Sequence, residues 1–313
     1  QIELRRDFLE TLTPETFLPT SSSSRLLTGN FTACEQLEQQ LATAFGTEAA
    51  LVFNSGYHAN TGILPAVSNA RTLILADKLV HASLIDGIRL SAAKSIRYRH
   101  NQYDQLERLI EINHTEYERI IIVTESIFSM DGDEADLREL VRLKKKYANV
   151  WLYVDEAHAF GVRGDKGLGC AEEQECISDI DFLVGTFGKA LASAGAYIVC
   201  RKVIREYLVN KMRTFIFTTA LPPVIIQWTS FVFTRLPNFR QRREKLQLVS
   251  SKLKEVLEHK GYVCPSSSHI IPMITGESSI AVRKAKSYSV KVFMPCPSVR
   301  LRYRKEHHAS AFH

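Results

Sequence analysis

Trp151-Leu-Tyr-Val-Asp155-Glu-Ala-His158 and Phe182-Leu-Val-Gly185-Thr-Phe-Gly-Lys189 share one design: a short apolar run that ends abruptly in residues able to carry chemistry. Such a run, apolar on both faces, reads as a strand buried inside a parallel sheet. Moving outward, Ala50–Phe53, Thr72–Ala76, Ile96–Tyr98, Ile120–Thr124 and Ala196–Cys200 are runs of the same kind. Between them lie helical patterns at Ala59–Val67, Ala82–Ala93, Gln105–Ile112, Leu137–Tyr147 and Val203–Arg213. The alternation predicts an α/β fold, with a large, mostly parallel central sheet and helices on both faces. Pro222-Pro223 breaks the pattern after Phe215–Leu221. A long helix is predicted over Arg240–His259, closed by Gly261, followed by a strand at Ile270–Ile274 and the start of a helix at Ser279–Lys286. One strand and two helices do not close a sheet, so this part reads as a small, incomplete C-terminal α+β domain. The expected divisions are residues 1–30, a large domain over 31–223, a partial small domain over 224–285, and a tail over 286–313.

The 313 residues are 45% hydrophobic and 24% charged, a globular balance that excludes disordered and coiled-coil classes. Lys286 to His313 hold six basic residues and one acid, and so carry five of the six net positive charges. The body before them is close to neutral, which gives no electrostatic case for nucleic acid or membrane. There is no apolar run of spanning length. The six cysteines form no CxxC pair; they read as reduced thiols of a cytoplasmic protein, mostly in the core, and no metal site is expected.

In open α/β folds ligands gather at the carboxyl ends of strands. An acid there, Asp155, either caps a helix or faces a cationic ring nitrogen, with His158 beside it. The string Asp155 to His158 also imitates an ATPase motif, but Gly185 to Ala190 has the wrong glycine spacing for a phosphate loop and lacks its hydroxyl. Lys189 sits in an uncharged Gly/Thr/Ala/Ser stretch, Gly185 to Gly195, a setting that favours a depressed pKa and Schiff-base chemistry. Asn54-Ser55-Gly56-Tyr57 joins a strand to a helix and offers backbone N–H groups to a phosphate. The glycine loop Gly164 to Gly169 lacks that context. His81, which opens a helix, and the hydroxyls Ser129 and Thr186 are ordinary residues unless the fold brings them to one place.

Taken in order, Asn54–Asn60, Asp77–Ser83, Thr124–Gly132, Val154–His158, Gly185–Lys189 and Phe217–Pro223 resemble the α-oxoamine synthase family of pyridoxal 5′-phosphate (PLP) enzymes. The resemblance covers about Leu4 to Lys286. It implies a homodimeric fold-type I PLP enzyme with its active site at the subunit interface. Lys189 would carry PLP as a Schiff base and, once freed, take the Cα proton. Asp155 would pair with the pyridinium nitrogen, and His158 would bond the ring's 3′-oxygen. His81 would stack on the ring and guide substrate. Gly56 and Tyr57 would hold the phosphate, Ser129 and Thr186 would add cofactor contacts, and Thr218 or Thr219 would reach the neighbouring subunit's phosphate. The finer matches, Ser126–Gly132, Ala190–Cys200 and Leu221–Pro223, imply condensation of L-alanine with a pimeloyl thioester, on CoA or a carrier protein. Glycine C-acetyltransferase shares much of the pattern.

The resemblance implies a further N-terminal segment before Ile2, so that residues 1–30 are expected to be the remnant of it, and Ser21–Ser24 replaces a glycine-rich stretch. No family pattern is recognisable after Lys286. An inactive PLP-fold remnant or binding subunit is the competing reading, which retention of Lys189, Asp155, His158 and His81 opposes. Residues 286–313 are expected to be read out of frame. Sequencing the gene around codon 286 checks this: a neighbouring frame should restore the family's R-P-P-T-V-P loop, and an intact frame with no such string in any frame contradicts it.

Overall fold

The computed structural model describes residues 2–274 and 280. Seven strands form one sheet: β1 (Ala49–Phe53), β2 (Thr72–Asp77), β3 (Lys94–Tyr98), β4 (Arg119–Glu125), β5 (Val150–Asp155), β6 (Phe182–Thr186) and β7 (Ala196–Cys200), in the order β1-β7-β6-β5-β4-β2-β3. Only β7 runs against its neighbours, pairing antiparallel with both β1 and β6. The other six strands therefore end at one edge, at Phe53, Asp77, Tyr98, Glu125, Asp155 and Thr186. Every residue of β1, β2 and β7 is buried, which requires cover on both faces.

The helices are α1 (Ile2–Leu9), α2 (Thr32–Phe45), α3 (Gly56–Val67), α4 (Ala82–Leu90), α5 (Tyr103–Asn113), α6 (Leu137–Lys145), α7 (Cys170–Glu173), α8 (Lys202–Lys211), α9 (Arg213–Ile216), α10 (Pro223–Phe233) and α11 (Arg240–His259). In α6 the logic is plain. Asp136 caps it by accepting from Glu139 N at 3.0 Å; Leu137, Leu140 and Leu143 are buried; Lys144 and Lys145 lie in the last turn, where the helix dipole favours cations.

The long helix falls where the sequence predicts it, at Arg240–His259. Three expectations change. α3 begins three residues early, because Ser55 caps it by accepting from His58 N at 3.2 Å. The double proline does more than interrupt: Pro223 is the first residue of α10, where its missing N–H costs nothing. α10 packs through Trp228 and Phe231 on Phe8, with ring centroids 5.2 and 5.4 Å apart. Finally, Ile270–Ile274 is not a strand. Pro272 has no N–H to give a ladder, and among the described residues no strand lies beside it.

The chain divides into two units. The first joins everything up to Phe128 with Glu134–Lys245 and holds the whole sheet; residue 223, the expected boundary, falls inside it. The second joins Ser129–Asp133 to the chain from Leu246 onward. There Ser266 Oγ and Ser267 N both donate to Gly132 O, at 3.1 and 3.2 Å. Gly132 has φ +69°, and a Cβ on it would stand 2.2 Å from Ile270 O, so only glycine fits. The helix expected from Ser279 and the tail 286–313 lie outside the described residues, apart from Ile280.

Candidate active site

The strand ends of the first unit bring the sequence candidates together. Asp155, the last residue of β5, is 5% exposed. Its Oδ1 accepts from Ala157 N at 2.8 Å and its Oδ2 from Asn60 Nδ2 at 2.8 Å. Asn60 projects from α3 and is used to the full. Its second N–H goes to Ser83 Oγ at 2.9 Å, and its carbonyl accepts from Tyr153 OH at 2.6 Å. Ser83 Oγ lies 2.7 Å from His81 Nδ1, which also accepts from Ser83 N at 3.2 Å. A Nδ1 that accepts leaves Nε2 to carry the proton of the neutral ring. His81 thus caps α4, as a lone histidine there should, while its exposed ring remains tied to Asp155 through two side chains.

Lys189 Nζ lies 2.6 Å from His158 Nε2. The residue is exposed, yet desolvation lowers its pKa, against the pull of Asp155 and Glu125. Glu125 stands beside Asp155 in register on β4 and accepts from His81 N. Burial first, and the Asp155 charge second, push its carboxyl far above the usual range. The two carboxyl groups at these strand ends are thus coupled, and the Asp155 charge disfavours a second charge on Glu125.

At the next strand ends, Gly56 and Tyr57 open α3, so their N–H groups have no acceptor within the helix. A Cβ on Gly56 would lie 3.9 Å from Thr186 Oγ1, which places the Thr186 hydroxyl at the same turn. The Tyr57 side chain turns away, donating to Asp86 Oδ2 at 3.0 Å. Asn54 Nδ2 donates to Thr218 Oγ1 at 3.3 Å and Thr219 O at 2.6 Å, which holds both threonines beside this turn. Ser129 belongs to the second unit.

A family model for aminotransferase class I and II matches residues 13–304. The chain belongs to that family. Two bacterial relatives carry the provisional name 8-amino-7-oxononanoate synthase. One, from Glaesserella parasuis, is 60% identical over 267 residues, 85% of this chain and 70% of the relative. The other, from Haemophilus influenzae, is 55% identical over 283 residues, 90% and 74% of the two chains. Among solved structures, Sphingomonas wittichii serine palmitoyltransferase superposes with TM-score 0.83 at 29% identity over 92% of this chain and 72% of that one. The 8-amino-7-oxononanoate synthase of Francisella tularensis does so with TM-score 0.74 at 31% identity over 83% and 76%. This aminotransferase-family chain is thus a PLP-dependent enzyme of the acyltransferase type, and its resemblance to the α-oxoamine synthases holds.

The residues of this family member fit the cofactor. Lys189 supplies a primary amine of lowered pKa. Asp155 supplies one buried, hydrogen-bonded carboxylate. The open N–H groups of Gly56 and Tyr57, with Thr186, suit a phosphate. Asn60, Tyr153, Ser83 and Glu125 have no role in the sequence reading. Their signal was a tyrosine inside an apolar strand and an asparagine at a buried position of a helix, polar groups that need partners.

Glu156, next to Asp155, supports the site from the core. It accepts from Ser126 Oγ at 2.6 Å and from Cys170 N and Ala171 N at 3.1 and 2.7 Å, fixing the start of α7. Full burial pushes its pKa up to about 7. Because the folded-state pKa is raised, its contribution to stability is complete below pH 4.5 and is lost as pH rises through about 7, an effect of about 3 kcal/mol. Denaturant unfolding of Glu156→Gln should accordingly show a flatter stability profile between these limits than the parent; an identical slope contradicts the assignment.

Among the described residues no helix is long and apolar enough to cross a membrane. Five cysteines, Cys34, Cys170, Cys176, Cys200 and Cys264, are free and buried; Cys296 lies outside the described residues.

Proposed function

We propose that this enzyme condenses L-alanine with a pimeloyl thioester, releasing carbon dioxide and the thiol carrier, as a step of biotin synthesis in a cytoplasmic homodimer. The observation that carries the reading is the placing of Lys189, His158 and Asp155, with its hydrogen-bonded support, at adjoining strand ends. The names of the relatives from G. parasuis, H. influenzae and F. tularensis support the substrates.

When bound, the cofactor supplies an electron sink for the pair left at Cα as its bonds to hydrogen and carboxylate break. Lys189 is the tether and then the base: an ammonium disfavoured by desolvation is neutral more often, and its Nζ takes the Cα proton. His158, 2.6 Å from Nζ, orients that amine and bonds the 3′-oxygen. Asp155 would hold the proton on the ring nitrogen, beside Glu125, whose carboxyl is pushed upward by burial and then by the Asp155 charge. Asn60 and Ala157 fix the carboxylate, so that little reorganisation accompanies charge movement. His81 would cover the ring face and meet the substrate. Gly56, Tyr57 and Thr186 would hold the phosphate, and Thr218 or Thr219 would reach the phosphate bound by the partner subunit.

A substrate panel tests the reading: glycine, alanine and serine against acetyl, succinyl, palmitoyl and pimeloyl thioesters. Alanine with the pimeloyl thioester should give the highest kcat/KM. Preference for glycine with acetyl-CoA would contradict it.

A further inference from the structure

At the opposite edge of the sheet from Lys189, where β4 and β5 begin and β7 ends, the first unit holds a hollow of about 290 Å³. Ser68, Arg119, Trp151, Arg201, Val203 and Tyr207 line it. Two guanidiniums converge there on one indole. Arg119 Cζ lies 3.9 Å from the Trp151 ring centroid and Arg201 Cζ 5.6 Å from it.

Neither cation has a carboxylate partner among the described residues. Arg119 gives one N–H to Val67 O at 2.6 Å, and its neighbour Glu118 is taken by Arg71. The Arg201 side chain makes no hydrogen bond or ion pair among the described residues; only its carbonyl is engaged, accepting from Ile204 N and Arg205 N. No Asp or Glu lines the hollow. Ser68 Oγ is buried without a hydrogen-bond partner, and the Val203 N–H, in the first turn of α8, has no acceptor within its helix. Burial lowers the Arg119 pKa, against the opposing pull of Tyr207 and Glu118. Ala66, Val67, Val203 and Ile204 supply apolar wall, with Asn69 and Tyr207 beside them.

We propose that this hollow is a second small-molecule site, which takes an organic anion: a carboxylate or phosphate head between Arg119 and Arg201, on an apolar body the size of a benzene ring or a short acyl chain. The head supplies the missing counter-charge and an acceptor for Ser68. The body dries the walls beside Val203 and Tyr207, at the small end of the volume range of ligand pockets. The site is independent of the cofactor crevice, since it lies where the parallel strands start rather than where they end.

The test is equilibrium binding to the holoenzyme, with the cofactor crevice filled, of benzoate, phenyl phosphate, inorganic phosphate and neutral benzyl alcohol. Benzoate or phenyl phosphate should bind saturably, more tightly than inorganic phosphate or benzyl alcohol, and the better of the two identifies the head. Arg201→Gln should weaken that binding about tenfold, as loss of a charge-assisted hydrogen bond does, and leave turnover unchanged. Arg201→Lys should recover part of the loss. Arg119→Gln should weaken binding similarly; if it fails to fold, the exposed Arg201 decides alone. Unaltered affinity in Arg201→Gln, or equal binding of benzyl alcohol or inorganic phosphate, would overturn the proposal.

Discussion

Lys189→Ala is expected to lose covalent retention of PLP and to lower turnover by at least about 10³-fold, since one substitution removes both the tether and the base. The residue lies in an uncharged stretch, and its partner is a histidine nitrogen at 2.6 Å. It is exposed, so the fold should survive; an unchanged melting temperature would separate lost chemistry from lost structure. Added primary amines should restore part of the proton transfer without restoring retention. Turnover within tenfold of the parent would show that another group does this work.

Asp155→Ala is expected to leave some PLP bound but to lower turnover by about 10²–10⁴-fold, the range for removing a positioned charge or proton holder. Without the carboxylate the ring nitrogen loses the anion that favours its protonated form, and the electron sink weakens. The same change strands one Asn60 N–H and the Ala157 N–H, so a cost of about 1–3 kcal/mol in stability should accompany it. Asp155→Asn keeps the shape while removing the charge, and should show nearly the same kinetic loss with a smaller structural one. With the Asp155 charge gone, Glu125 should titrate at lower pH than in the parent, because that charge is the second cause of its raised pKa. Unchanged turnover in either variant would refute the role of Asp155.

The sheet was legible because parallel strands buried on both faces leave uninterrupted apolar runs, and their ends are marked by the first polar residue. Asp155 and Lys189 stand out for that reason. Boundaries that depend on a single side chain were less visible: Ser55 starts α3 three residues before its apolar period is evident. α10 was hidden because its residues are apolar almost all round and follow two prolines, so neither period nor a polar cap marks it. Ile270–Ile274 has strand composition, but a strand is a property of pairs, and the proline inside it already argued against a ladder. Within the candidate site, residues whose chemistry is their own stand out as candidates in the sequence. Those whose chemistry comes from a neighbour do not. Glu125 looks like any strand-end acid until Asp155 stands beside it, and Asn60 has meaning only once Tyr153, Ser83 and Asp155 surround it.

Borohydride reduction of the holoenzyme followed by peptide mapping would show where the cofactor is attached, which we place at Lys189. Reduction makes the link permanent, so the cofactor's mass should travel on the peptide that contains Lys189 and on no other. Finding it on any other lysine, or on none in an active preparation, would contradict the account.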